Sequence, residues 1–171
     1  NKELLVFLKG MNVPLITTWS GVDAITHDHK NYIGNVGVYG SRAANFVIQN
    51  SDFVLSLGSR LDTRVTGGIP KNFARNAIIA SIDIDKNELN KNRGLEIKIK
   101  INESLKDFFN YFIKLSKNKI IDKPEWVKKS ILWKKKYPTV LDSDRKQKKY
   151  VNPYFFMERL SKHLKSDDIV I

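Results

Sequence analysis

Apolar and polar positions change rhythm along this chain, and the change separates two regions. After the turn Lys9-Gly10-Met11-Asn12, the run Val13-Pro14-Leu15-Ile16-Thr17-Thr18 is short and β-rich. Ser41 to Asn50 carries Ala43, Ala44, Phe46 and Val47 at helical spacing. Phe53-Val54-Leu55-Ser56-Leu57 is a buried-strand pattern ended by Gly58, and Ala77-Ile78-Ile79-Ala80-Ser81-Ile82 is another, ended by Asp83. From Leu95 to Ile101, Leu95, Ile97, Ile99 and Ile101 alternate with Glu96, Lys98 and Lys100, which predicts an edge or half-covered strand. Asn102 then stands where a helix cap belongs, ahead of a face formed by Leu105, Phe108, Phe109, Phe112 and Ile113. Strands this continuously apolar, alternating with helices, predict an α/β fold with a mostly parallel, Rossmann-like sheet covered on both sides. Such sheets bind ligands outside the carboxyl ends of their strands, so the residues just after each strand carry the interest.

Beyond Phe112 the pattern differs. Asp122-Lys123-Pro124 opens a charged helix with Trp126, Val127, Leu132 and Trp133 inward, and Pro138 ends it. The polar stretch from Leu141 to Lys149 reads as a linker. Asn152-Pro153 begins another helix, capped by Asn152 with Pro at its first position and Phe155, Phe156, Leu160 and Leu164 as its apolar face. Ile169-Val170-Ile171 reads as a strand that runs to the last residue, the expectation for a fragment of a longer chain. The expected organisation is a domain over 1–113, a basic helical linker over 114–150 and the start of a further domain over 151–171.

Composition narrows the classes. With 42% apolar and 11% aromatic residues over 171 positions, the chain can bury a core and is not a disordered protein. The absence of Cys excludes a disulfide framework, a thiolate zinc site and a cysteine nucleophile, and His27, His29 and His163 are too few for a His-rich metal centre. Apolar runs of about five residues are far short of the ~20 a membrane helix needs, so a cytoplasmic setting is expected. Most of the +12 net charge lies between Lys114 and Lys149, where thirteen Lys or Arg face four Asp or Glu. A basic tract can bind nucleic acid. Here, however, the lysines alternate with Trp126, Ile131, Leu132 and Trp133, as on the wet face of an amphipathic helix, so no nucleic-acid partner is expected.

Three features cluster at strand ends. Gly34-Asn35-Val36-Gly37-Val38-Tyr39-Gly40-Ser41 spaces glycines just before a helix, where backbone N–H groups can approach phosphate; a plain loop reads equally from the same residues. Gly58-Ser59-Arg60-Leu61-Asp62-Thr63-Arg64-Val65-Thr66-Gly67-Gly68 follows a buried strand and sets two Arg about an Asp. Arg holds diphosphate bidentately, and the carboxylate can position a guanidinium, take a sugar hydroxyl, or form a structural ion pair with Arg60 or Arg64. Asp83 and Asp85 end a third strand, where an acid can accept from an adenosine ribose or cap the turn through Asn87-Glu88. No catalytic triad and no paired acid–base carboxylates are visible.

Taken together, Pro14–Thr18, Gly34 to Asn45, Asp52 to Gly67 with its Gly58-Ser59-Arg60-Leu61-Asp62-Thr63-Arg64-Val65-Thr66-Gly67 block, and Ile82 to Lys91 resemble the middle domain of thiamine-diphosphate-dependent enzymes, nearest in pattern to acetolactate (acetohydroxyacid) synthase large subunits. The resemblance covers about residues 1–113, with 151–171 similar to the start of the carboxyl, cofactor-binding domain. It implies one part of a three-domain enzyme, a homodimer or homotetramer, that decarboxylates a 2-oxo acid and ligates the fragment to a second one. Thiamine diphosphate and Mg²⁺ would sit in other domains. The activating Glu and the Gly-Asp-Gly motif that serve them are not in this sequence, so no catalytic or metal-binding residue is expected here and the chain alone should not turn over substrate. In that family the middle domain holds FAD, ADP or nothing. Thr18, Trp19, Gly37, Val38, Tyr39, Gly40, Gly58, Ser59, Arg60, Asp62, Arg64 and Val65 match its flavin contacts, and Asp83 its ribose acid. Arg60 and Arg64 are thus expected to hold a diphosphate. The alternative is a nucleotide-free domain that docks subunits in a related decarboxylase or surface-sugar enzyme. Tyr39 stands where the synthases carry His, and Asn102 where an Asp approaches the flavin.

Overall fold

Every strand pair among the described residues of the computed structural model is parallel, as the continuous apolar runs predict. The structure describes residues 2–116 and 121–170, in one unit that ends at Lys136 and another that begins at Tyr137. In the first unit, α1 (Lys2–Lys9) leads into β1 (Met11–Asn12), β2 (Leu15–Thr17) and β3 (Tyr32–Asn35). Then come α2 (Arg42–Gln49), β4 (Phe53–Leu57), the single-turn α3 (Thr63–Thr66), β5 (Ile78–Asp83) and α4 (Lys86–Asn90). β6 (Ile99–Asn102), α5 (Leu105–Ser116), β7 (Ile121–Asp122) and α6 (Pro124–Lys136) complete it.

Strand β4 pairs with β5 and β5 with β6 in unbroken register, Leu57 opposite Ile82 and Asp83 opposite Asn102. The carboxyl ends of three strands therefore share one edge. β2 pairs with β3 across a bulge at Leu15/Ile16, and β1 pairs with β7. Helix α1 packs on α5, with the buried rings of Phe7 and Phe109 4.8 Å apart. Burial of side chains this size contributes about 1.5–3 kcal/mol each. A second cluster, Val36, Leu61, Phe73, Ile79 and Ile97, lies beneath the loops that follow β3 and β4.

Four local expectations are corrected. The alternating run from Leu95 forms a strand only from Ile99, because its first ladder bond is Lys98 N–H to Ile79 O; Leu95 and Ile97 instead pack into the second cluster. Asn102 does not cap α5. As the last residue of β6 it lies opposite Asp83, and its side-chain amide donates to the carbonyls of Asp83 and Ile84, while Ser104 Oγ caps the helix by accepting from Asp107 N–H. Leu132 faces outward; Trp126, Ile131 and Trp133 cover α2, and the fully buried Ser130 is small enough to let the two helices approach. Finally, Leu141–Lys149 is not all linker, since Asp142–Lys146 forms α7. There Asp144 accepts from Leu141 N–H and Asn152 Nδ2, bonds that composition does not display.

In the second unit α8 (Pro153–Ser161) starts as read, with Asn152 Oδ1 accepting from Tyr154 and Phe155 N–H, and Arg145 pairs with Glu158. Phe156 is half exposed, and Ile169 and Val170 lie outside any strand because the described part of this unit has no strand to pair with. Lys117 and Lys119 of the basic tract, and Ile171 of the expected terminal strand, lie outside the described residues. The described residues contain no helix long and apolar enough to cross a membrane.

Candidate functional site

The glycine loop after β3 is gripped from below. Asn45, on α2, accepts from Gly37 N–H and donates to Gly37 O, both at 3.0 Å. Val38 N–H donates to Arg64 O, Gly40 N–H to Gly37 O and Ser41 N–H to Asn35 O. These four amides are spent on protein acceptors, which is the plain-loop alternative the glycine spacing left open. The glycines serve close packing of main chain on main chain. A Cβ on Gly37, whose φ is +118°, would stand 2.3 Å from Arg64 O, and one on Gly40 would stand 2.4 Å from Asn35 O.

That packing opens a cleft of about 220 Å³ between the loop and α3, lined by Trp19, Asn35, Val36, Tyr39, Arg64 and Val65. Thr18 precedes the single turn Trp19–Gly21, which it closes by accepting from Gly21 N–H. The turn sets Trp19 edge-on to Tyr39, ring centroids 6.0 Å apart, and both rings are largely exposed. Arg64 has no ion-pair partner among the described residues. A cleft of this size equals roughly seven waters, enough for a diphosphate or one ring system but not for a whole dinucleotide.

At the neighbouring strand end, Gly58 turns with φ +59° and donates to Ile82 O, followed by a half-buried Ser59. Arg60 pairs with Glu88 at 3.0 Å. The hydrogen bond to Arg60 holds the Glu88 carboxyl below its usual value, and Glu88 in turn raises the already high value of Arg60. Lys91 and Arg93 converge on the same carboxylate. Asp62 pairs with neither arginine. It caps α3, accepting from Arg64 and Val65 N–H, because its carboxylate sits at the position where helical N–H groups lack partners. Asp83 is buried at the end of β5 and accepts from Asp85 N–H, while Asp85 caps α4 through Asn87 N–H.

The structure therefore gathers Trp19, Tyr39, Arg64 and Val65 around one cleft and places Gly58, Ser59, Arg60 and Asp83 along the shared strand edge. Reasoning from sequence missed Asn35, Glu88 and Arg93. Asn35 stands between glycine-loop positions that drew attention only for their glycines, and the clasp around Glu88 joins segments whose proximity depends on the register of β4 and β5. Among the described residues no three His, Asp or Glu converge as metal ligands. A free arginine beside two exposed rings does fit the diphosphate and ring of a nucleotide.

A parallel α/β domain with its distinctive residues at strand carboxyl ends is a Rossmann-like cofactor-domain architecture. The family described as thiamine pyrophosphate enzyme, central domain, matches residues 1–109, and the chain belongs to it. The chain is similar to the probable acetolactate synthase large subunit of Methanococcus aeolicus, 34% identical over 153 residues that cover 84% of this chain and 25% of that protein. It is 33% identical over 151 residues to the acetolactate synthase large subunit of Cyanidium caldarium, covering 85% of this chain and 25% of the relative. With that of Lactococcus lactis subsp. lactis (strain IL1403) it shares 29% identity over 165 residues, 96% of this chain and 28% of the relative. The chain thus spans about a quarter of the length of these relatives.

Proposed function

We propose that this chain is the central domain of an acetolactate synthase-like, thiamine-diphosphate-dependent enzyme, a homodimer or homotetramer acting on 2-oxo acids, and that its own task is to hold an adenine nucleotide, FAD or ADP. Thiamine diphosphate, bound elsewhere, would supply the carbanion chemistry; this domain's residues bind and orient. The observation that carries the reading is Arg64, a guanidinium with no ion-pair partner among the described residues, in a cleft walled by Trp19 and Tyr39. Arg64 takes the diphosphate, and the two rings flank a planar group. The remainder of the nucleotide runs along the shared strand edge past Gly58 and Ser59 towards Asp83, whose buried carboxylate takes a ribose hydroxyl. Arg60, already neutralised by Glu88, shapes the loop.

Denaturing the purified protein and identifying what it releases by chromatography tests this. Release of FAD or ADP, or its uptake when added, supports the proposal; neither release nor uptake overturns it. The Arg60–Glu88 pair also favours a second reading, a nucleotide-free domain that packs subunits, because one of the two arginines needs no ligand. Subunit assembly that is complete without any nucleotide would support that alternative.

A further inference from the structure

Beneath the cleft three side chains from β2 and β3 form a closed polar triangle. Thr17 Oγ1 and Tyr32 Oη each lie 2.7 Å from Asn35 Oδ1, and they lie 3.0 Å from one another. A separation of 2.7 Å is characteristic of O–H···O and shorter than the usual N–H···O distance. Both hydroxyl protons therefore point at the amide oxygen of Asn35, which fixes the orientation of the amide. Tyr32 cannot turn away. It is buried, its carbonyl accepts from Lys134 Nζ at 2.6 Å, and that ammonium also lies 5.2 Å from the centre of its ring.

With its oxygen doubly engaged, Asn35 has one polar group left. Its Nδ2 has no hydrogen-bond partner among the described residues, and the residue lines the cleft with Arg64, Trp19 and Tyr39. We infer that the Thr17–Tyr32–Asn35 triangle presents the Asn35 side-chain N–H₂ to the cleft as an oriented donor for an acceptor oxygen of the bound nucleotide, which makes Asn35 a specificity-determining residue and Thr17 and Tyr32 its positioning residues. The inference rests on the nucleotide reading and adds what the sequence did not disclose, that the cleft selects for an acceptor beside the anionic group. A preoriented amide discriminates, because a ligand with a donor at that point would leave two donors facing each other.

Two measurements test it together. In the two-dimensional ¹⁵N–¹H spectrum of the full protein, the Asn35 side-chain N–H₂ pair, assigned by its loss in Asn35→Asp, is followed during titration with ADP and, separately, with riboflavin. A shift with ADP places the acceptor on the adenosine diphosphate part of the ligand, and a shift with riboflavin places it on the flavin part; either supports the inference. Asn35→Leu, which lets the Thr17 and Tyr32 hydroxyls pair with each other, should weaken nucleotide affinity about ten-fold, and Tyr32→Phe about three-fold. Wild-type protein that binds ADP or FAD with an unmoved Asn35 resonance and an unchanged Asn35→Leu affinity overturns the inference and leaves the nucleotide reading standing. Wild-type protein that binds neither overturns both. The titration uses unmutated protein, so it decides even where Asn35→Leu does not fold.

Discussion

Arg93 Nη1 donates to the main-chain carbonyl of Arg60 at 2.6 Å, tying the loop after β4 to the segment after α4. The same guanidinium reaches the carbonyl and the carboxylate of Glu88, and its side chain is only 9% exposed. Removing it takes the guanidinium from two carbonyl acceptors, while the Glu88 carboxylate keeps Arg60 and Lys91. Arg93→Ala should therefore destabilise the protein by about 1–3 kcal/mol, read as a lower urea midpoint at unchanged slope. Arg60→Ala removes only an exposed side chain and should lower the urea midpoint less than Arg93→Ala does.

Glu88 makes this clasp sensitive to acid. Arg60 holds its folded-state value below the ordinary 4.5. A carboxylate with a lowered value stabilises the fold above its unfolded value and loses that contribution as pH falls through the folded one. A plot of melting temperature against pH should fall less steeply below about pH 4.5 for Glu88→Gln than for wild type, the two curves running parallel above that region.

Gly37 and Gly68 separate close packing from chain freedom. Gly37 has φ +118° and a carbonyl 2.3 Å from any added Cβ, whereas a Cβ on Gly68 meets nothing within 4 Å. Gly37→Ala should cost more than about 3 kcal/mol and close the cleft, while Gly68→Ala should stay within about 0.5 kcal/mol of wild type. Thermal denaturation of both variants checks this.

Asp62 separates a cap from an ion pair. Asp62→Ala should lose about 1 kcal/mol, and Asp62→Asn, which retains the accepting oxygen, should lose almost nothing. An Asp62→Asn variant as unstable as Asp62→Ala would show that the charge, rather than the cap, holds the Arg60–Arg64 segment.

The spans of β4 and β5 were legible as continuous apolar runs, although only β5 is buried along most of its length: in β4 Phe53 is exposed and Ser56 alone is buried. Phe53–Leu57 occupies the span its apolar run defines, and Ile78–Asp83 is displaced by one residue. The Asn152-Pro153 start was equally plain, since a cap and a fixed φ act locally. Leu95–Ile101 misled because alternation states which side chains are buried but not whether a neighbouring strand is within reach. The cleft was legible only in part. Arg64 and Tyr39 stood out by residue type and place, whereas the partners that divide Arg60 from Arg64 come from α4 and the turn beyond it, twenty-eight and thirty-three residues away. Asn35 was invisible for a related reason: its role depends on two hydroxyls on separate strands, and on which end of its own amide they occupy.

Calorimetric titration of the protein and of Arg64→Ala with ADP and FAD tests the central claim most directly. The account predicts binding of at least one nucleotide at about 10 µM or tighter, weakened about ten-fold or more by Arg64→Ala, as expected for a lost charge-assisted contact. Equal affinity in the two proteins, or no heat of binding from wild type with either nucleotide, would contradict it.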